Sequence, residues 1–163
     1  MADVSLSMVS YRVRAAQAAD LDALVALEEA VFDYDRISRR QYRQHLVGTS
    51  ALVLVAVDRG DLLGSGMVFF RHGTRVARLY SLATAPGARG RGVAQRLLAA
   101  FERAARQRGC DRLRLEVRTD NDAAIGLYER LGYRRFGLRS GYYDDGTDAL
   151  RFEKELSRRT RVR

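Results

Sequence analysis

The chain has 163 residues, 47% hydrophobic and 30% charged, the make-up of one globular domain with a sizeable core. No apolar stretch approaches the roughly 18 residues of a membrane span, and the opening "MADVSLSMVSYRVR" lacks the apolar run of a signal peptide, so a cytoplasmic location without membrane contact is expected. The formal charge of +9 is almost entirely arginine, and with Lys154 the only lysine a phosphate loop that depends on lysine is excluded.

In chain order, "YRVRAA" (11–16) alternates like a short strand. Asp20 then stands as a cap before "LDALVALEEAVF", where Leu21, Leu24, Leu27 and Val31 recur at helical spacing. "SRRQYRQHL" predicts a second short helix. "ALVLVAV" and "LLGSGMVFF" are apolar runs joined by "DRGD", a hairpin signal, and "RHGT" leads into a third run, "VARLYSLAT" (76–84), ended by Pro86. Val93, Leu97, Leu98, Phe101, Ala104 and Ala105 form the stripe of a long helix stopped by "RGC". "RLRLEV" (112–117) alternates again. "DNDAAIGLYERLGY" opens with cap residues and places Ala124, Ile125, Tyr128 and Leu131 on one helix face. Strands near 134–139 and 148–155 bracket "SGYYDDGT". The order β-α-α-β-β-β-α-β-α-β-β predicts an α/β (α+β) domain over 1–156, a mixed sheet with helices on both faces, followed by a basic tail over 157–163.

The densest signal is "PGARGRGVAQRLL" (86–98), three glycines and three arginines at the mouth of the long helix. A helix N-terminus carries about four unpaired N–H groups and roughly half a positive charge, and glycines let a bulky anion approach those amides. Gly87, Gly90 and Gly92 give that clearance, while Arg89, Arg91 and Arg96 offer forked donors. An ordinary strand-to-helix turn with exposed arginines would look much the same.

The run Arg89-Gly90-Arg91-Gly92-Val93-Ala94 resembles the R/Q-x-x-G-x-G/A signature of the GNAT acetyltransferases. "LYSLATAP" before it, "LRLEVRTDNDAAIGLYERLGYRRFG" after it and "YYDDGTDAL" near the end resemble the bacterial ribosomal-protein N-terminal-alanine acetyltransferases, over residues 76–154. The resemblance implies a GNAT fold, its mostly antiparallel sheet splayed between strands 4 and 5. It implies acetyl-CoA as cofactor, with the pyrophosphate over the amides of Gly90, Arg91, Gly92, Val93, Ala94 and Gln95. Arg89 and Arg91 would flank that group, and Leu82, Ala83 and Thr84 would pair with the pantetheine arm as an extra strand does. Asn121 would bond the same arm, besides serving as a plain helix cap.

Acetyl transfer to an amine needs a neutral nucleophile, a polarised thioester and a protonated leaving thiolate. A free α-amine titrates near 7.7 to 8.0, whereas deprotonating a lysine at about 10.4 costs roughly 3.5 kcal/mol more, so one carboxylate suffices for an N-terminal substrate. Glu116 is the only acid in its strand. With Leu113 and Leu115 facing the core it faces the other way, either as a surface glutamate paired with Arg112 or Arg114 or, as the resemblance implies, as the general base. Tyr128 is either a core tyrosine or, by family position, the general acid for the sulfur, which its ordinary value of about 10 suits.

Cys110 has no partnered base, reads as a small buried hydrophobe and leaves direct transfer as the expected route. As the only cysteine it also excludes an internal disulfide. His45 and His72 lack metal-ligand spacing, so no metal is expected.

The acceptor is less legible. Tyr142 and Tyr143 match the paired tyrosines that the ribosomal-protein enzymes show near the peptide groove, and Phe32 and Tyr34 stand where those enzymes often carry an aromatic-Pro-Trp segment. The chain has no tryptophan. A protein N-terminal amine is the expected acceptor. A polyamine or antibiotic drawn by Asp33, Asp35, Asp144 and Asp145 is the alternative, and a non-catalytic acetyl-CoA or RNA-binding module associated with the ribosome is the third reading. Nucleic acid is not expected as the main partner, since no aromatic-basic RNA module is visible. Monomer and homodimer stay open.

Overall fold

The computed structural model describes residues 10–157. The basic tail expected over 157–163 lies, apart from Ser157, outside them. The strands are β1 (Arg12–Ala15), β2 (Ala51–Asp58), β3 (Asp61–Phe70), β4 (Val76–Thr84), β5 (Arg112–Arg118), β6 (Arg134–Arg139) and β7 (Ala149–Glu155). The helices are α1 (Leu21–Val31), α2 (Arg39–Val47), α3 (Val93–Gln107) and α4 (Asp122–Arg130). The strands make one sheet in the order β1-β2-β3-β4-β5-β7-β6, antiparallel except where β4 meets β5.

Burial explains which strands read as continuous apolar runs and which alternate. β2 and β3 are covered on both faces. Leu54, Ala56 and Val68 pack with Leu97, Leu98 and Phe101 of α3, while Val53, Val55 and Met67 pack with Leu24, Ile37 and Tyr42 from the α1–α2 side. Two buried faces require apolar residues at consecutive positions. β5 has one covered face. Leu113, Leu115 and Val117 are buried, and the Arg112, Arg114, Glu116 and Arg118 positions between them face the open side.

Two local details differ from the sequence expectation. Asp20 stands at the N-cap position of α1 but has helical backbone angles, and its side chain makes no capping bond there. Its carboxylate instead accepts from the Gln17 amide at the turn before α1 and from Arg14. Cys110 is half-buried rather than buried, packed against the margin of the larger core.

The β4–β5 pairing is short. Val76 to Leu79 of β4 run parallel to Arg112 to Leu115 of β5, and there the ladder stops. At the same place β4 carries a bulge: Met67 pairs with Ser81 and Val68 with Leu79, leaving Tyr80 as the extra residue. A bulge bends and twists its strand, and here it turns the Tyr80–Thr84 half of β4 away from β5. β4 stays bonded to β3 through Thr84, so its β5-side edge is open.

Glu28 braces the opposite wall. It is 3% exposed on the apolar stripe of α1 and accepts the Tyr42 hydroxyl at 2.7 Å and the Ile37 amide at 3.1 Å, tying α1 to α2 and to the loop between them. Burial raises its pKa above the ordinary glutamate value of 4.5, against the lowering effect of the Tyr42 and Ile37 hydrogen bonds. A carboxyl that keeps its proton to higher pH folded than unfolded adds stability at low pH and loses it as pH rises through the folded value. The melting temperature of the native chain relative to Glu28→Gln should therefore fall as pH rises from about 4.5. A difference constant with pH would count against this.

The packing of α3 on the sheet depends on Gly64. A Cβ there would stand 2.5 Å from Val93 Cγ1 and 2.8 Å from the Ala83 carbonyl oxygen. Overpacking of this kind costs about 1–3 kcal/mol. Urea denaturation of Gly64→Ala should show a loss of that size.

Candidate functional site

The parted strands open a cleft of about 820 Å³ at their carboxyl ends, the position where open α/β sheets hold ligands. Its walls come from the second halves of β4 and β5, the first turns of α4, the α1–α2 loop and the β6–β7 loop.

At one end lies the turn into α3. Gly90 and Gly92 have φ of +82° and +72°, left-handed values that disfavour side chains, and a Cβ on either would meet nothing within 4 Å. Gly92 is the residue that caps α3, and no side chain of the described residues bonds the first-turn amides. A 15-residue helix thus presents unpaired N–H groups under open space, the condition for holding an anion. Val93 is buried, Ala94 half-buried and Gln95 exposed.

The arginines of this turn divide. Arg89 lines the cleft. Arg91 turns the other way, its Nη2 3.2 Å from both Asp58 Oδ2 and Ser10 Oγ. Arg91 and Arg96 stand over the Tyr11 ring at 5.4 and 4.7 Å, and the Tyr11 hydroxyl donates to the Arg91 carbonyl. These two arginines hold the turn against β1 and the β2–β3 hairpin. Leu82 lines the cleft, whereas Ala83 is buried and Thr84 half-buried at the open edge of β4. Asn121 does cap α4, its Oδ1 accepting from the Ala124 amide at 3.1 Å, and it also lines the cleft.

Glu116 and Tyr128 both line the cleft. The side chain of Glu116 is 8% exposed. Its Oε2 accepts from Arg78 Nε at 3.1 Å, and its Oε1 lies 3.7 Å from Arg151 Nε, an ion-pair distance without a hydrogen bond. Arg112 and Arg114 are engaged elsewhere, with Glu153 on β7. Tyr128 is 7% exposed, set edge-on to Tyr133, and its hydroxyl bonds no partner among the described residues. Burial, then the nearby Tyr143, pushes its pKa well above the ordinary tyrosine value. The phenol therefore keeps its proton at neutral pH.

The mouth is formed by two loops. Phe32, Asp33, Tyr34 and Asp35 line it from the α1–α2 side, Tyr142 and Tyr143 from the β6–β7 side. The tyrosine rings meet edge to face at 5.0 Å. The neighbouring Asp144 carboxyl, with a smaller contribution from burial, raises the pKa of Asp35. Asp145 is tied to Arg118.

The cysteine and histidines stay apart from this site. Burial raises the Cys110 thiol, contrary to what an activated nucleophile needs. Among the described residues no three His, Cys, Asp or Glu side chains could hold a metal ion, and no helix is long and apolar enough to cross a membrane.

Glu28, Arg78, Tyr80 and Arg151 were missed in the sequence. Glu28 did leave a trace, an acid in the stripe Leu24–Glu28–Val31. Arg78 and Arg151 left none, since their partner is a residue on another strand.

Against known proteins, a model of the acetyltransferase (GNAT) family matches residues 18–133. An uncharacterized protein of Mycobacterium leprae (strain TN) is 34% identical over 147 residues, 84% of this chain and 38% of that protein. The crystal structure of the ribosomal-protein-S18-alanine N-acetyltransferase from Escherichia coli, 26% identical, has a TM-score of 0.80 over 90% of this chain and 94% of that one. That of nourseothricin acetyltransferase, also 26% identical, has a TM-score of 0.75 over 91% and 99%. The chain spans between 38% and 57% of the length of the curated relatives it matches. The family model takes in 116 of the 163 residues (18 through 133), including both parted strands and the helices that follow each, and the chain belongs to the GNAT acetyltransferase family.

Proposed function

We propose that the protein is an acetyl-CoA-dependent N-acetyltransferase, acting in the cytoplasm, that moves the acetyl group directly to a primary amine, with a protein N-terminal α-amine of the ribosomal-protein type as acceptor. The observation that carries this reading is that Glu116 and the unbonded Tyr128 hydroxyl share one cleft with Arg89, which stands in the turn leading to the α3 amides that no side chain of the described residues bonds. The residues fit acetyl-CoA. The α3 amides at Gly92, Val93, Ala94 and Gln95, with Gly90 and Arg91 before them, would hold its diphosphate, Arg89 would flank it, and Leu82, Ala83, Thr84 and Asn121 would take its extended arm. When bound, that group supplies an activated thioester acyl carbon.

Glu116 takes the proton of the incoming amine, its Oε1 being free of hydrogen bonds among the described residues. Tyr128 donates a proton at the leaving sulfur, and its burial keeps the phenol protonated until charge develops there. Phe32, Tyr34, Tyr142 and Tyr143 would flank the acceptor chain at the mouth. The likeness to the ribosomal-protein enzyme of Escherichia coli supports an N-terminal acceptor.

A second reading has its own support. Asp33 and Asp35 line the same mouth, and the likeness to nourseothricin acetyltransferase is nearly as extensive, so a small cationic amine fits too.

Glu116→Gln and Tyr128→Phe should each lower kcat by about 10²- to 10⁴-fold, the usual contribution of a positioned acid or base, with coenzyme A affinity by calorimetry unchanged. Full turnover in both variants would remove the mechanism. N-terminal peptides assayed beside spermidine and an aminoglycoside identify the acceptor class.

A further inference from the structure

Arg78 bonds two parts of the cleft, the Glu116 carboxylate and the β6–β7 loop. Its Nε donates to Glu116 Oε2 at 3.1 Å, and its Nη2 donates to the Tyr142 hydroxyl. Tyr142 belongs to the β6–β7 loop at the mouth, packed edge to face on Tyr143. Arg78 itself sits on β4, two residues before the Tyr80 bulge and opposite Arg114, inside the last paired stretch of β4 and β5. Its backbone is thus held by strands on both sides, while its side chain stays 41% exposed.

We propose that Arg78 is a positioning residue that fixes the carboxylate of Glu116 and couples it to the acceptor loop through Tyr142. The inference rests on the reading of Glu116 as the base. Two observations and one property of the guanidinium group carry it. Arg78 occupies one carboxylate oxygen and leaves the other free for a proton, so it orients the base without blocking it. Arg151, the second cation beside Glu116, does not fix the carboxylate in this way: its Nε stands 3.7 Å from Oε1 and makes no hydrogen bond among the described residues. Finally, forked guanidinium donors with fixed geometry can serve two acceptors at once, which an ammonium on a flexible stem does poorly. A fixed positive charge at this place also disfavours the ammonium form of an entering amine and so favours the neutral nucleophile. Displacement of Tyr142 by an acceptor chain would be felt at Glu116 through this one side chain.

The test is a double-mutant cycle on the full chain, with an N-terminal-alanine hexapeptide as acceptor. Arg78→Gln should lower kcat by about 10- to 100-fold while leaving the KM for acetyl-CoA and the melting temperature near their native values, on the scale expected for a misplaced base. Tyr142→Phe should raise the peptide KM several-fold, and the double variant should be no worse than Arg78→Gln. Arg78→Lys should restore only part of the rate. Native kcat in Arg78→Gln, or effects that simply multiply in the double variant, would overturn the proposal.

A second measurement needs no acceptor. The ¹⁵N-edited resonance of the Arg78 Nε–H group, identified by its loss in Arg78→Lys, should shift in both Glu116→Gln and Tyr142→Phe. Insensitivity to either would equally overturn the coupling. Failure of the function reading looks different: Glu116→Gln would keep full turnover, or the peptide would not be acetylated, while the Nε–H resonance would still respond.

Discussion

The structure depends on a hydrogen-bond ladder that stops. β4 and β5 are parallel partners from Val76 and Arg112 as far as Leu79 and Leu115, and beyond that pair they part. A continuous ladder would satisfy the backbone of both strands and leave no opening between them. The bulge at Tyr80 turns β4 aside while β3 still holds it, and a cleft forms inside the sheet. The cost is an edge of unpaired backbone groups in the middle of a sheet, which is the kind of surface an extended ligand completes.

Keeping that gap open requires both walls to be anchored elsewhere. On the α1 side, Glu28 joins two helices and their loop through Tyr42 and Ile37. On the α4 side, Lys154 donates to Glu102 of α3, and the Tyr133 hydroxyl bonds the same carboxylate, fixing the segment against which Tyr128 packs. The single lysine of the chain is thus part of a partly buried network. Several arginines are likewise paired within the fold, with Asp58, Glu116, Glu153, Asp120 and Asp145.

The two ends of the cleft follow different rules. Toward α3 the cleft is lined by Arg89, in a turn whose Gly90 and Gly92 are left-handed. The other end is built from two loops of aromatic and acidic side chains. The ribosomal-protein-S18-alanine N-acetyltransferase and nourseothricin acetyltransferase, named for different acceptors, share this fold with TM-scores of 0.80 and 0.75.

Periodicity, apolar runs and turn signals were enough to read the seven strands and four α-helices of the described chain but not its two 3-10 turns, Ala18–Asp20 and Pro86–Ala88. The glycine turn, the Asn121 cap and the outward side of Glu116 were equally legible, since each is a local property of neighbouring residues. Asp20 occupies the expected cap position, but its carboxylate is drawn to Arg14 and the turn before α1. The same limit hid the partners of Glu116. Along the chain its nearest cations are Arg114 and Arg118, yet it is held by Arg78 and Arg151, which strand pairing brings from 38 positions before it and 35 after it. Arg91, which the motif placed beside an anion, is turned toward Asp58. Local spacing determined the elements and the turn that could hold a diphosphate; only the tertiary structure decided which charges meet, because ion pairs form between neighbours in space and carry no period in sequence.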